Sequence, residues 1–287
     1  MKRAGAGALV VLLAAGSAAP AAAQALITQP QRYLLTTDAF DGRALWLQPA
    51  GMARRREASL GWSVTGEQRG SGLSLAQYGL TLASGGFGLG WQRAELVDGS
   101  YVSQYAVGYG AGSPRASVGV TRRWLSGERV KGAVWDAGGR IVPRPFLEVS
   151  VVYRDRGSVL LVAPDTAPGG PYDTLYTPTL IPAAAITLFG GRARVGAETE
   201  LLTDGWKRQA ARVGAAVVLP FGLGLHVRTA FDGDFTFQDL SVALTWSGTA
   251  ARVTGFGAFP QDGGARSYGL WGSAVRNLEQ PRRPGWR

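Results

Sequence analysis

The sequence predicts an all-β fold, a transmembrane antiparallel up-and-down β-barrel of about fourteen strands. Three observations lead to this prediction. Apolar and polar residues alternate with a period of two, turn signals divide the chain into an even number of segments, and the links between segments fall into two alternating classes. Glycine and aromatic residues are plentiful and only 17% of residues are charged, which suits strands that face lipid on one side.

The first residues have the three parts of an export signal. Lys2 and Arg3 are basic, residues 9–15 are apolar, and residues 21–23 form a small-residue cleavage site. This predicts a signal peptide over residues 1–23, and cleavage after Ala25 satisfies the same rule. The apolar core is shorter than the roughly 20 residues that a membrane-spanning helix needs. We therefore expect an exported chain that resides in the outer membrane.

Composition excludes several kinds of site. The chain has no cysteine and a single histidine, His226, which excludes disulfides, thiolate chemistry and a metal site of several histidines. We expect no cofactor and no metal. The net charge of +10 would suit nucleic acid, but an exported chain seldom meets any. Outer-membrane lipid and lipopolysaccharide are the expected charged partners.

Three segments follow the signal: residues 26–56 form an N-terminal segment that does not alternate, residues 57–276 the barrel, and residues 277–287 a basic tail. Turn signals divide the barrel into fourteen strands. They lie near residues 57–66, 70–83, 86–97, 100–111, 115–126, 131–141, 145–155, 176–189, 192–203, 207–219, 222–232, 235–247, 249–260 and 265–276. The second and twelfth change phase midway, which predicts β-bulges.

Alternation predicts which side of each strand faces lipid. In the ninth predicted strand, Val195 and Ala197 lie on one face. Arg194, Glu198 and Glu200 lie on the other. An arginine facing lipid at mid-depth costs about 2–4 kcal/mol, so the charged face is predicted to line the lumen.

The links between strands predict the orientation of the barrel. Even-numbered strands mostly end in short uncharged links, at residues 84–86, 112–114, 190–191, 220–222 and 247–249. Odd-numbered strands end in charged links, at residues 67–69, 98–100, 128–129, 204–205, 232–234 and 262–264. Because periplasmic turns are short, the first strand should run outward, and residues 157–177 become the longest external loop. A periplasmic β-sandwich also alternates, but would not readily produce two turn classes in regular succession.

The segment before the first strand carries a motif. Arg43 and Ala44 precede a run that we call the plug motif, which consists of Gln48, Pro49, Ala50, Gly51, Met52 and Ala53. This arrangement resembles the FadL-like superfamily of fourteen-stranded barrels, including its PorV-like members, although Gln48 stands where that family has asparagine. The basic tail also departs from the aromatic residue that usually closes the last strand. The alternative is an ordinary loop with a Pro-Ala-Gly turn.

The resemblance implies that residues 26–56 form an N-terminal plug-like segment, tucked into the periplasmic mouth or lumen. It also implies transport of hydrophobic compounds or handling of secreted proteins. The expected function is a channel or transporter for small hydrophobic or amphipathic molecules. The first alternative is a PorV-like scaffold that docks secreted or envelope proteins.

Five inward-facing residues are the candidate lumen site: Arg194, Glu198, Glu200, His226 and Arg228. They form either a polar gate or a structural lattice of ion pairs. His226 is the only conventional general base, and an outer-membrane lipid hydrolase is the second alternative function. No Gly-x-Ser-x-Gly elbow accompanies it, so we expect a structural histidine and no enzyme activity. The acidic links are predicted to be solvated turns, with divalent cations bridging lipopolysaccharide as the alternative.

Overall fold

The computed structural model describes residues 31–54, 57–69, 72–95, 100–127, 130–161, 173–174, 177–261 and 266–277. The predicted signal peptide and residues 278–287 of the basic tail lie outside these ranges. So do the charged links at 98–99, 128–129 and 262–264, and the central part of the predicted external loop, residues 162–172.

Fourteen strands form one closed antiparallel barrel. They are β1 (Glu57–Arg69), β2 (Gly72–Ser84), β3 (Phe87–Glu95), β4 (Tyr101–Gly112), β5 (Ala116–Gly127), β6 (Val130–Arg144), β7 (Leu147–Leu161), β8 (Thr179–Leu188), β9 (Ala193–Leu202), β10 (Arg208–Val218), β11 (Leu223–Asp232), β12 (Phe237–Ser247), β13 (Ala251–Pro260) and β14 (Arg266–Asn277). Each strand pairs with the next, and β1 pairs with β14 to close the sheet. A two-residue strand, Asp173–Thr174, pairs with the end of β7. The predicted up-and-down barrel and its strand number are confirmed.

The two faces of the sheet differ as the alternation predicts. On β1, Leu60 is 54% exposed on the outer surface, whereas its neighbour Ser59 is 8% exposed and faces inward. On β9, Val195 is 45% exposed and Glu198 only 7%. Aliphatic and aromatic side chains on the outside avoid the cost of placing charge against lipid. The interior therefore receives most of the charged and hydrogen-bonding groups.

Both predicted bulges are confirmed by the strand register. Ala76 is the extra residue of β2 opposite β1, and Gln238 is the extra residue of β12 opposite β11. Alternation did not predict three further register shifts, which lie between β9 and β10, near the end of β6, and in β7 opposite β6. The last of these is a bulge of β7. There Asp155 adopts a left-handed φ of 63°, so that Arg154 and Asp155 both turn toward the interior.

Residues 31–54, which we call the inner segment, lie inside the barrel. They form a 3-10 helix at Thr36–Asp38, the α-helix α1 at Ala44–Leu47, and a second 3-10 helix at Pro49–Arg54. Their apolar side chains build a buried cluster with inward-facing residues of β4, β12 and β13. In the part of the chain that the structure describes, no helix is long and apolar enough to cross a membrane.

Candidate functional site

Six inward-facing glycines form a surface on which the inner segment packs. This glycine seat consists of Gly88 and Gly90 on β3, Gly108 and Gly110 on β4, Gly119 on β5 and Gly138 on β6. None of the six has a left-handed φ, so conformational freedom does not explain them. Each stands where an added Cβ would collide with another residue. The seat exists because the inner segment approaches the backbone of the wall closely.

The collisions involve backbone as well as side chains. A Cβ at Gly110 would lie 2.7 Å from the nitrogen of Ala53 and 2.8 Å from the carbonyl oxygen of Pro49. A Cβ at Gly119 would overlap the Pro49 carbonyl and lie 2.6 Å from the nitrogen of Ala50. Main-chain atoms cannot rotate away, so any side chain at these two positions must displace the inner segment.

The predicted plug motif lies against this seat. The Gln48 side chain donates to the carbonyl oxygens of Gly139 and Val151, at 3.3 and 3.4 Å. Gln48 also accepts a hydrogen bond from the nitrogen of Ala50 at 3.3 Å. The Gln48 side chain thus reaches the wall of the barrel.

The other motif residues fit equally tightly. A side chain at Gly51 would overlap the carbonyl oxygen of Ala39, which explains why glycine occupies this position. The Met52 side chain is 3% exposed and packs beside Gly88 and Gly108. The plug motif therefore packs both against other residues of the inner segment and against the wall of the barrel.

The part of the inner segment that precedes the plug motif, at Thr36–Asp38, is held by polar contacts with β9. Arg194 pairs with Asp38 at 2.7 Å and donates to the carbonyl oxygen of Thr37 at 2.9 Å. Glu198 accepts a hydrogen bond from the backbone nitrogen of Thr36 at 2.7 Å. Burial raises the pKa of the Asp38 carboxyl, and the charge of Arg194 partly offsets this rise. We call Arg194, Glu198 and their partners the latch.

The remaining predicted lumen residues do not form one cluster. Glu200 pairs with Arg212 of β10 at 2.5 Å, and Arg212 also pairs with Glu198 at 3.2 Å. Arg228 pairs with Asp239 of β12 at 3.3 Å. Only Glu198 and Glu200 share a partner, and the five candidates are divided among four separate sets of contacts, the fourth being that of His226.

His226 packs against the inner segment. Its ring lies 5.9 Å from the ring of Tyr33 in an edge-on arrangement, and Tyr33 also packs against Phe256. The contacts of its ring are those of a packed aromatic side chain.

Two buried ion-pair groups escaped the sequence prediction. Arg123 of β5 binds Asp136 through two hydrogen bonds of 2.7 Å, and it also pairs with Asp155 at the β7 bulge. Arg140 of β6 binds Glu148 of β7 at 2.6 Å. Arg123 with Asp136, and Arg140 with Glu148, lie diagonally across neighbouring strands and not directly opposite each other. Asp155 faces inward only because of the β7 bulge. Each of these arginines is matched by acidic partners.

The acidic link at residues 232–234 lies among the residues that the structure describes. The Asp232 carboxylate accepts hydrogen bonds from the nitrogens of Asp234 and Thr236, at 2.9 and 2.8 Å. It therefore stabilises its own turn. In the described ranges, no three histidine or acidic residues are grouped so as to hold a metal ion.

No protein-family model and no curated protein matches the chain. Among solved structures, the chain is similar to the CymD monoaromatic hydrocarbon channel, with a TM-score of 0.56 and 11% identity over 87% of this chain and 96% of that one. It is also similar to the toluene transporter TodX of Pseudomonas putida, with a TM-score of 0.51 and 11% identity over 82% of this chain and 92% of that one. The structural similarity establishes a shared fold, that of an outer-membrane β-barrel, and sequence identity this low adds nothing further.

Proposed function

We propose that this chain is an outer-membrane channel for small hydrophobic or amphipathic molecules, and that the inner segment is a plug that moves before a solute passes. The supporting observation is a closed barrel whose interior holds a segment of its own chain. In the described residues, that segment forms no strand pairing with the wall. It is held by packing on the glycine seat and by the latch, contacts that can separate without breaking the barrel.

The proposal includes membership of the FadL-like superfamily and export by the signal peptide. The plug motif and its contacts with the wall support the first, and residues 1–23 support the second. The solute class rests partly on similarity of fold, since CymD and TodX are described as a hydrocarbon channel and a toluene transporter. Of the five candidate lumen residues, we assign the gating role to Arg194 and Glu198, because the side chains of both contact the plug.

A disulfide that tethers the plug to the wall would test this function. A Cβ at Gly42 would lie 3.5 Å from the Cβ of Thr81, inside the range of about 3.5–4.5 Å found across disulfides. The chain has no cysteine of its own, so the pair Gly42→Cys and Thr81→Cys is the only one that can form. Oxidation should stop uptake of small labelled aromatic solutes by cells that carry the protein, and reduction should restore it.

Each single cysteine variant serves as the control. Thr81→Cys also reports the loss of the 3.1 Å hydrogen bond that Trp46 donates to Thr81. Equal uptake by the oxidised and reduced double variant, with the cross-link verified by mass spectrometry, would contradict the moving plug. Absence of uptake together with a co-purifying envelope protein would favour the scaffold alternative instead.

A further inference from the structure

A ladder of buried amides lies in the lumen beside the glycine seat. The three members of this amide ladder are Gln77 of β2, Gln92 of β3 and Gln104 of β4, each at most 2% exposed. Gln92 and Gln104 are direct cross-strand partners. Gln77 donates to the side-chain oxygen of Gln92 at 2.8 Å. Three neighbouring strands thus present a continuous row of uncharged hydrogen-bonding groups.

Gln104 ends this row with an unused donor. Its side-chain nitrogen is buried and makes no hydrogen bond, and the residue is 1% exposed. A buried amide donor without a partner is unfavourable unless something else accepts its hydrogens. A hydrogen-bond acceptor placed beside Gln104 would satisfy this donor.

The ladder stands next to the plug along the barrel axis. On β3, Gln92 is the inward residue that follows Gly90, and on β4, Gln104 lies two inward positions beyond Gly108. Both steps lead away from the short Gly85–Gly86 turn, which is periplasmic in the predicted orientation. A solute that descends from outside meets the amides before it meets Leu45 and Trp46 on the seat.

Three arginines of the lumen are already engaged by acidic partners. Arg123 pairs with Asp136, Arg140 with Glu148, and Arg212 with its two glutamates, as described above. A charged solute would have to compete with these internal pairs. The unsatisfied amide, in contrast, suits an uncharged molecule.

We propose, on the basis of the channel function above, that the amide ladder contacts the solute and selects uncharged amphipathic molecules that carry an oxygen acceptor. A hydrocarbon of the same shape would cover the ladder and leave the Gln104 donor without a partner. Sites built to bind a polar group discriminate strongly against analogues that lack it, for this reason. Benzyl alcohol is thus a better solute than toluene.

The test compares uptake of ¹⁴C-labelled benzyl alcohol and toluene by cells that carry the protein, with uptake by cells lacking it subtracted. Wild type should prefer the alcohol. Gln104→Leu, which removes the donor and keeps most of the volume, should reduce that preference about fivefold, as loss of one neutral hydrogen bond implies. Tyr105→Phe is the matched control, because it removes a polar group from the outward face of the same strand.

The outcomes separate this inference from the channel function. An unchanged preference in Gln104→Leu, or equal wild-type uptake of both solutes, would overturn the role of the ladder and leave the channel intact. Absence of uptake of either solute would overturn both. Heat-modifiable migration checks that each variant forms a barrel. If Gln104→Leu does not, Gln104→Met, which keeps an unbranched side chain, carries the same expectation.

Discussion

Replacing Gly119 by alanine should push the inner segment away from β5. The new methyl group would lie 2.6 Å from the nitrogen of Ala50 and would overlap the Pro49 carbonyl. Non-bonded heavy atoms settle near 3.5 Å, so the backbone of residues 49–50 must move by about 1 Å. Overpacking of this kind typically costs about 1–3 kcal/mol, and we expect a loss of stability in that range. Reversible urea unfolding in lipid vesicles measures it.

Gly139→Ala is the matched control for this substitution. Gly139 faces outward on β6, and the nearest atom to an added Cβ is 3.7 Å away, which is an ordinary contact. Alanine in place of an unconstrained strand glycine should be neutral or stabilising by about 0.5–1 kcal/mol. Equal stabilities of the two variants would show that the inner segment does not rest on β5, and the seat would be refuted.

Three further predictions concern the wall and its orientation. Ala197→Arg, on the lipid face of β9, should destabilise the barrel by about 2–4 kcal/mol in the same unfolding assay. Glu198→Gln, on the inner face, should leave the barrel assembled. If the barrel tolerates both substitutions equally, the two faces of β9 are misassigned. Arg212→Ala should cost about 3–5 kcal/mol because it leaves two buried carboxylates without their cation, and a loss below 1 kcal/mol would contradict the pairing. Labelling of single cysteines in intact cells should reach Asp204→Cys and not Ser84→Cys, and the reverse pattern would invert the barrel.

The barrel was predictable because its physical constraint is local. Each strand must place apolar side chains toward lipid, so a period of two appears in every strand, and a bulge appears as a change of phase. The same reasoning predicted that Glu198 and Glu200 face inward. Their partner Arg212 was within reach too, because strand register places it directly opposite Glu198.

The contacts of the inner segment could not be predicted in this way. Arg194 binds Asp38, which is 156 residues distant, and no local pattern connects the two. In the sequence, the glycine seat is visible only as glycines at alternate positions of a strand. Gly88 with Gly90, and Gly108 with Gly110, repeat with the period of an inward face. Such a row indicates that something approaches the wall, but not which segment does so.

Ion conductance across a planar lipid bilayer tests the central claim most directly. A barrel of fourteen strands with the inner segment in place should show no steady conductance. Gly119→Ala, by displacing that segment, should produce opening events, and Gly139→Ala should behave as wild type. A large steady conductance from the wild-type protein, or identical traces from both alanine variants, would contradict a lumen closed by residues 31–54.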